Sequence, residues 1–147
     1  FRASRKAAEL IDMTRHSGEH ARFGALDVCP FIPVANVTMD ECGEMARAVG
    51  RRIGEELGIP VYLYENAAST PERRNLAKVR SGEYEGLEKK LSKPEWKPDF
   101  GPAEFNAKSG ATAVGGPCAS ASCCCRWISD DVPSSSRAPT NSTTRPT

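Results

Sequence analysis

The chain of 147 residues has almost no net charge and no long apolar run. Lysine and arginine together number 20, aspartate and glutamate number 19, and the formal charge is +1. Proteins dedicated to nucleic acid or to anionic membranes are usually strongly basic, so this balance argues against both classes. The apolar runs are too short to span a bilayer, and no signal-peptide core is present. We therefore expect a cytoplasmic protein with one folded domain.

Six cysteines are present, but their placement does not favour disulfides. Cys29 and Cys42 occupy apolar positions, and the other four, at positions 118 and 123–125, lie near the C-terminus. Because no secretory signal is present, buried free thiols are the better interpretation of the first two. The last four lack the CxxC spacing that places two thiolates on one ion. A metal-responsive tail is therefore kept only as a third hypothesis, and no metal is expected.

Helical and extended patterns alternate from the start of the chain. Apolar residues at helical spacing predict a helix over 3–15, which Ser17-Gly18 should end, and alternation predicts a strand over 25–34. Pro30 and Pro33 cannot donate to a strand ladder, so we expect an edge position or a bulge there.

The most secure prediction is the helix that follows. Thr38 and Glu41 form a capping box, the apolar stripe continues to about Leu57, and Gly58 follows as a helix-ending residue. The segment 61–64 is then a short strand, so helix and strand meet in an α/β junction.

The next elements are shorter. We expect a helix over 71–79 with Thr70 as its N-cap, another short helix around Leu87 and Leu91, and the entry to a strand at 110–115. Residues 116–147 are rich in serine, threonine, proline and cysteine and carry few large apolar side chains. Such a segment cannot bury enough surface to offset its ordering, so we predict a folded part over 1–115 and a disordered tail over 116–147.

Both histidines lie between residues 16 and 33, the most reactive-looking stretch of the chain. His20 follows a glycine turn and has Glu19, Arg22 and Asp27 nearby. A group with a pKa near neutrality suits proton transfer, so His20 is a candidate general base and acid. The alternative is a loop histidine bonded to a backbone carbonyl. His16 is interpreted as a helix C-terminal cap.

Several ordered motifs resemble those of the formiminotransferase family, the glutamate formimidoyltransferases. The motifs are DMTRHSGEH at 12–20, RFGALDVCPFIP at 22–33, GIPVYLY at 58–64, RSGEYE at 80–85, DFGP at 99–102 and GATAVG at 110–115. The resemblance covers about residues 1–115. It implies an α/β sandwich, with a mixed or antiparallel sheet covered by helices, that is incomplete in this chain.

The resemblance also implies a reaction and its residues. The formimino group of N-formimino-L-glutamate would move to N5 of tetrahydrofolate, late in histidine breakdown, and the full-length parent would be a homo-oligomer. The family's catalytic histidine corresponds to His20. Its folate-binding stretch corresponds to Gly101, Pro102, Ala103, Glu104, Phe105, Asn106, Ala107, Lys108, Ser109 and Gly110.

The residues of that stretch suit a folate, although a simpler interpretation exists. Phe100 and Phe105 can offer flat apolar surface, glycines at 101 and 110 allow close approach, and Lys108 can meet the glutamate tail. The alternative is a loop whose aromatic rings only cover the core.

The chain also departs from the family pattern. We expect the first strands of the subdomain to be missing and the sequence after Gly115 to be unrelated to the family, and Ala21 stands where the family often has proline. These departures keep open a second hypothesis, a non-catalytic folate-binding or interaction fragment.

Overall fold

A computed structural model describes residues 1–15, 17 and 21–116 of the chain. The candidate catalytic residue His20, the cap predicted at His16 and the tail cysteines lie outside the described residues. So does the predicted disordered tail, apart from Gly116.

Four α-helices and three strands make up the described part. They are α1 (Arg2–Leu10), β1 (Asp27–Pro30), α2 (Met39–Leu57), β2 (Val61–Glu65), α3 (Leu76–Arg80), α4 (Leu87–Leu91) and β3 (Thr112–Gly116). Single 3-10 turns occur at Met13–Arg15, Pro71–Arg74 and Pro94–Trp96. Among the described helices, none is long and apolar enough to cross a membrane.

The three strands form one sheet in the order β1-β3-β2, and both pairs are parallel. The α/β class is confirmed, but the expected mixed or antiparallel sheet is replaced by a parallel one among the described strands. The reason is the length of the connections: α2 lies between β1 and β2, and residues 66–111, which include α3 and α4, join β2 to β3. Parallel strands require such long crossover connections. Among the described strands β1 lies at an edge of the sheet, as predicted, but it covers only Asp27–Pro30 of the range 25–34 expected for it.

Helices cover both faces of this sheet. Tyr62 and Tyr64 point to the face that Val79 of α3 and Leu87 of α4 cover. The alternate residues, Val61, Leu63 and Val114, point to the other face and pack with Ala46 and Ile53 of α2. Because both faces are buried, residues 61–64 of β2 are all aliphatic or aromatic, as is usual for parallel sheets.

The termini of α2 follow local sequence signals, as predicted. The Glu41 amide donates to Thr38 Oγ1 at 3.2 Å, and Glu41 Oε2 accepts from the Thr38 amide at 2.7 Å. Gly58 ends the helix at φ 64°, where a residue without Cβ is favoured.

Two helices differ from the prediction because side chains compete with the backbone. The helix expected over 3–15 ends at Leu10, and the Asp12 carboxylate then accepts from the Thr14 amide at 3.1 Å and its hydroxyl at 2.6 Å. The helix expected over 71–79 is divided, because Asn75 Oδ1 accepts from the Ala77 amide at 2.9 Å and begins α3 there. Thr70 is the N-cap residue of the turn Pro71–Arg74, as predicted, but its side chain makes no capping hydrogen bond.

Candidate functional site

The predicted functional segments around residues 21–25 and 101–110 lie at the end of the sheet where the strands begin. Asp27 and Val61 are both in register with Thr112, so the amino ends of the three strands lie together. Ligands of open parallel sheets usually bind at the opposite end, outside the carboxyl ends of the strands. This arrangement could not be predicted from the sequence motifs.

The chain is anchored directly after His20 by a buried arginine. Arg80 Nη2 donates to the Ala21 carbonyl oxygen at 2.7 Å and to Asp27 Oδ2 at 2.7 Å, while Arg80 Nε reaches Asp27 Oδ1 at 3.2 Å. The Phe23 amide also donates to Asp27 Oδ1, at 3.1 Å. The segment 21–27 is thus closed into a loop by one ion pair.

This contact changes how Asp27 is interpreted. The sequence offered it as an acid near the histidine, but its carboxylate is bound by Arg80, which is 8% exposed, and by the Phe23 amide. Asp27 itself has φ 57°, a conformation that non-glycine residues rarely adopt. Sequence reasoning missed Arg80, although it begins the motif RSGEYE.

Arg22, two residues after His20, is held by the segment around Tyr84. The Tyr84 amide donates to the Arg22 carbonyl oxygen at 2.7 Å, and the Arg22 guanidinium lies 5.1 Å from the centre of the Tyr84 ring. Arg22 Nη2 forms an ion pair with Glu85 Oε1 at 2.7 Å. The hydrogen bond from Arg22 is the main cause that lowers the pKa of Glu85.

The second half of the predicted folate stretch meets this region. The ring centres of Phe105 and Tyr84 are 5.4 Å apart, and the Tyr84 hydroxyl donates to the Ala107 carbonyl oxygen at 2.6 Å. The Ala25 amide donates to the Ser109 carbonyl oxygen at 2.9 Å. Residues 21–25 and 105–110 are therefore neighbours, with Tyr84 between them.

The chain segments 21–25 and 105–110 approach each other most closely at Gly110. Gly110 pairs with Gly24 in an antiparallel bridge and has φ 65°. A Cβ on Gly110 would lie 2.6 Å from the Phe23 carbonyl oxygen. Only a residue without a Cβ fits between the two chain segments at this position.

The first half of the stretch, residues 101–104, is exposed and lies elsewhere, beside the C-terminal half of α2. Gly101 has φ 81°, and a Cβ there would lie 2.5 Å from the Ile59 carbonyl oxygen. The preceding Phe100 is partly buried and packs against the core on the α2 side, and its carbonyl oxygen accepts from the Val61 amide at 2.9 Å. The structure thus brings 105–110, but not 101–104, to residues 21–25.

A buried ion pair fixes the entry to this stretch. Arg73 Nη1 lies 2.6 Å from Asp99 Oδ2, and the two side chains are 6% and 9% exposed. The Leu63 amide donates to Asp99 Oδ2 at 2.8 Å, and the Ser69 hydroxyl donates to Asp99 Oδ1. With these partners Asp99 serves the fold rather than a ligand.

Lys90 supports the end of α3, next to Arg80. Its Nζ donates to the carbonyl oxygens of Val79 at 2.5 Å and Ser81 at 3.0 Å, and it lies 4.0 Å from the centre of the Trp96 ring. Burial lowers the pKa of Lys90 to about 8. The ammonium therefore caps a helix C-terminus in an apolar setting.

Metal binding finds no support in the described ranges. Within residues 1–15, 17 and 21–116, no three histidine, cysteine, aspartate or glutamate side chains come together as an ion would require. Cys29 and Cys42 are free thiols, and burial raises the pKa of Cys29.

Comparison with known proteins identifies the type of domain. Residues 1–117 match the model of the formiminotransferase domain, N-terminal subdomain. The chain is 60% identical over 113 residues to the formimidoyltransferase-cyclodeaminase of Gallus gallus and 56% identical over 113 residues to that of Dictyostelium discoideum. It is 51% identical over 115 residues to the glutamate formimidoyltransferase of Streptococcus pyogenes serotype M1.

These matches cover most of the chain but a minor part of each relative. They include 77% of this chain for the first two relatives and 78% for the third. The chain spans 21% of the length of each cyclodeaminase relative and 38% of the Streptococcus protein.

Proposed function

Because the chain belongs to the formiminotransferase family through its N-terminal subdomain, we propose that it serves folate-dependent formimino transfer. The donor is N-formimino-L-glutamate and the acceptor is N5 of tetrahydrofolate, which is a co-substrate. The observation that carries the proposal is the meeting of residues 21–25 with residues 105–110 at Tyr84. One segment follows the candidate catalytic histidine, and the other belongs to the candidate folate stretch.

His20 is the proposed proton carrier. The N5 amine attacks the amidine carbon of the donor, a new C–N bond forms, and the bond to the glutamate nitrogen breaks. His20 takes the proton from N5 and gives it to the leaving nitrogen, which a group with a pKa near neutrality does best. The anchoring of Ala21 by Arg80 supports this role, because it fixes the chain one residue after the histidine.

Tetrahydrofolate is assigned to the stretch from Gly101 to Gly110. Phe105, whose ring is tilted against that of Tyr84, would supply apolar surface, and the exposed Lys108 would meet the negatively charged glutamate tail. Phe100 is left out of that role because it is partly buried and packs against the core on the α2 side of the sheet.

The cellular setting follows from the same reaction. We assign the chain to histidine degradation in the cytoplasm, and we expect the longer parent to be a homo-oligomer. The family match supports the first assignment, and the near-neutral charge agrees with a small-molecule substrate.

A second candidate function is folate binding without turnover. It is favoured by the coverage of the relatives, since this chain spans 21% to 38% of their lengths. Segments of the longer proteins would then be needed to hold the formimino donor.

One experiment separates the two candidates. Tetrahydrofolate is titrated into the full chain by calorimetry, and turnover is then measured with N-formimino-L-glutamate added. We expect binding by the wild type, and binding without turnover by His20→Asn. Turnover by wild type excludes the second candidate. Equal turnover by His20→Asn removes His20 from the mechanism, and absence of binding by wild type overturns both.

A further inference from the structure

Arg22 combines rigid placement with an ion-pair partner that is open to water. The guanidinium is stacked over Tyr84 and its side chain is only 19% exposed, whereas the side chain of Glu85 is 61% exposed. The backbone of Arg22 is fixed by the Tyr84 amide. The cation is therefore preorganised, while the anion that neutralises it is free to leave.

The Arg22 guanidinium also uses only part of its hydrogen-bonding capacity. Nη2 donates to Glu85 at 2.7 Å, and Nη1 makes a long contact of 3.4 Å with the Met13 carbonyl oxygen. Glu85 is bound through one oxygen rather than in the two-bond geometry that arginine and carboxylates prefer. A ligand carboxylate that uses two N–H groups can replace it with a gain in hydrogen bonding.

The backbone of a second basic residue, Lys108, meets the same residue, Met13. The Met13 amide donates to the Lys108 carbonyl oxygen at 2.9 Å, and the Met13 carbonyl oxygen is the one that faces Arg22. Lys108 is exposed and belongs to the proposed folate stretch. The backbone of Met13 thus contacts both basic residues, through the Arg22 guanidinium and the Lys108 carbonyl oxygen.

We propose that Arg22 binds a carboxylate of a glutamate moiety and that Glu85 is the internal counter-ion which this carboxylate displaces. The inference rests on the proposed function and names the recognition element of that same site. Two ligands supply this chemistry: the glutamate tail of tetrahydrofolate, and the N-formimino-L-glutamate donor.

Substitutions of Arg22 and Glu85 should change ligand affinity in opposite directions. Arg22→Gln should weaken binding of the glutamate-bearing ligand about tenfold or more, because a charge-assisted pair is lost. Glu85→Gln should strengthen it about two- to fivefold, since the competing anion is gone and an exposed ion pair is weak. A merely structural ion pair predicts no gain from Glu85→Gln.

The chain offers a matched control. Arg52 pairs with Glu56 at 2.7 Å and lies 4.0 Å from the centre of the Phe1 ring, so it reproduces the chemistry of Arg22 on α2. Arg52→Gln and Glu56→Gln should leave binding unchanged.

The experiment is calorimetry on the full chain with tetrahydrofolate, tetrahydropteroate and N-formimino-L-glutamate. Tetrahydropteroate lacks the glutamate tail, so an effect of the variants on tetrahydrofolate alone assigns Arg22 to the tail. An effect on N-formimino-L-glutamate assigns it to the donor. Unchanged binding in both Arg22→Gln and Glu85→Gln overturns this inference and leaves the proposed function standing. If wild type binds none of these ligands, the proposed function fails and this inference with it.

Discussion

The Arg80 guanidinium binds both oxygens of the Asp27 carboxylate, at 2.7 and 3.2 Å, across 53 positions of sequence. The same arginine holds the Ala21 carbonyl oxygen. One buried side chain thus closes the loop that follows the candidate catalytic histidine and ties it to the end of α3.

Replacement of Arg80 by methionine should destabilise the protein by about 1–3 kcal/mol, because Asp27 loses its charged partner but keeps some contact with water. Urea unfolding followed by circular dichroism measures the change. Arg52→Met, which breaks the exposed pair with Glu56, should cost less than about 0.5 kcal/mol. Equal losses in the two variants would contradict the anchoring role of Arg80.

Replacement of Asp99 by asparagine should destabilise the protein more strongly, by about 3 kcal/mol or more. The change keeps the shape but leaves Arg73 charged and buried without an anion, and both side chains are less than a tenth exposed. Chemical denaturation again gives the free energy of unfolding. A loss below about 1 kcal/mol would show that the Arg73 charge is neutralised by another group.

Lys90 should make stability depend on pH above neutrality. Its folded pKa, about 8, lies below the ordinary value of 10.5 because burial disfavours the cation. Between these two values the unfolded chain binds more protons, so stability should rise as pH increases from about 8 to 10.5. The free energy of unfolding of wild type minus that of Lys90→Met, measured at intervals of pH, should show this rise. The exposed neighbour variant Lys89→Met should show no such difference, and a falling curve would contradict the sign.

Two glycines of α2 should respond oppositely to alanine. A Cβ on Gly54 would lie 2.5 Å from the Gly101 amide nitrogen, whereas one on Gly43 meets no atom closer than 3.5 Å. Gly54→Ala should therefore cost about 1–3 kcal/mol through overpacking. Gly43→Ala should stabilise by about 0.5–1 kcal/mol through helix propensity. Thermal unfolding of the pair tests both, and a stabilising Gly54→Ala would contradict the close packing of Phe100 and Gly101 on α2.

The two ends of α2 are predictable from residues in or next to the helix. The capping box of Thr38 and Glu41 and the left-handed Gly58 lie within or beside the helix that they delimit, so both termini were predictable. Asp12 and Asn75 also act locally, but the apolar periodicity does not show their competition with the backbone, so it predicts both helices too long.

The sequence predicts which segments form the candidate site, but not which of their residues are in contact. The motifs pointed to residues 12–33 and 99–110, and Tyr84 and Arg80 were inside a third motif. The contacts that join them, Tyr84 to Ala107 and Arg80 to Asp27, connect residues 23 and 53 positions apart. Nothing in the pattern of one segment specifies its distant partner.

By itself, the sequence determined the family, the α/β class, the position of the main helix and the segments in which function is sought. These depend on residue order over short distances. Only the tertiary structure decided that the strands are parallel, that Arg80 and not a solvent ion neutralises Asp27, and that Arg22 faces an exposed Glu85. Those outcomes depend on which segments meet when both faces of the sheet are buried, and burial is a property of the whole fold.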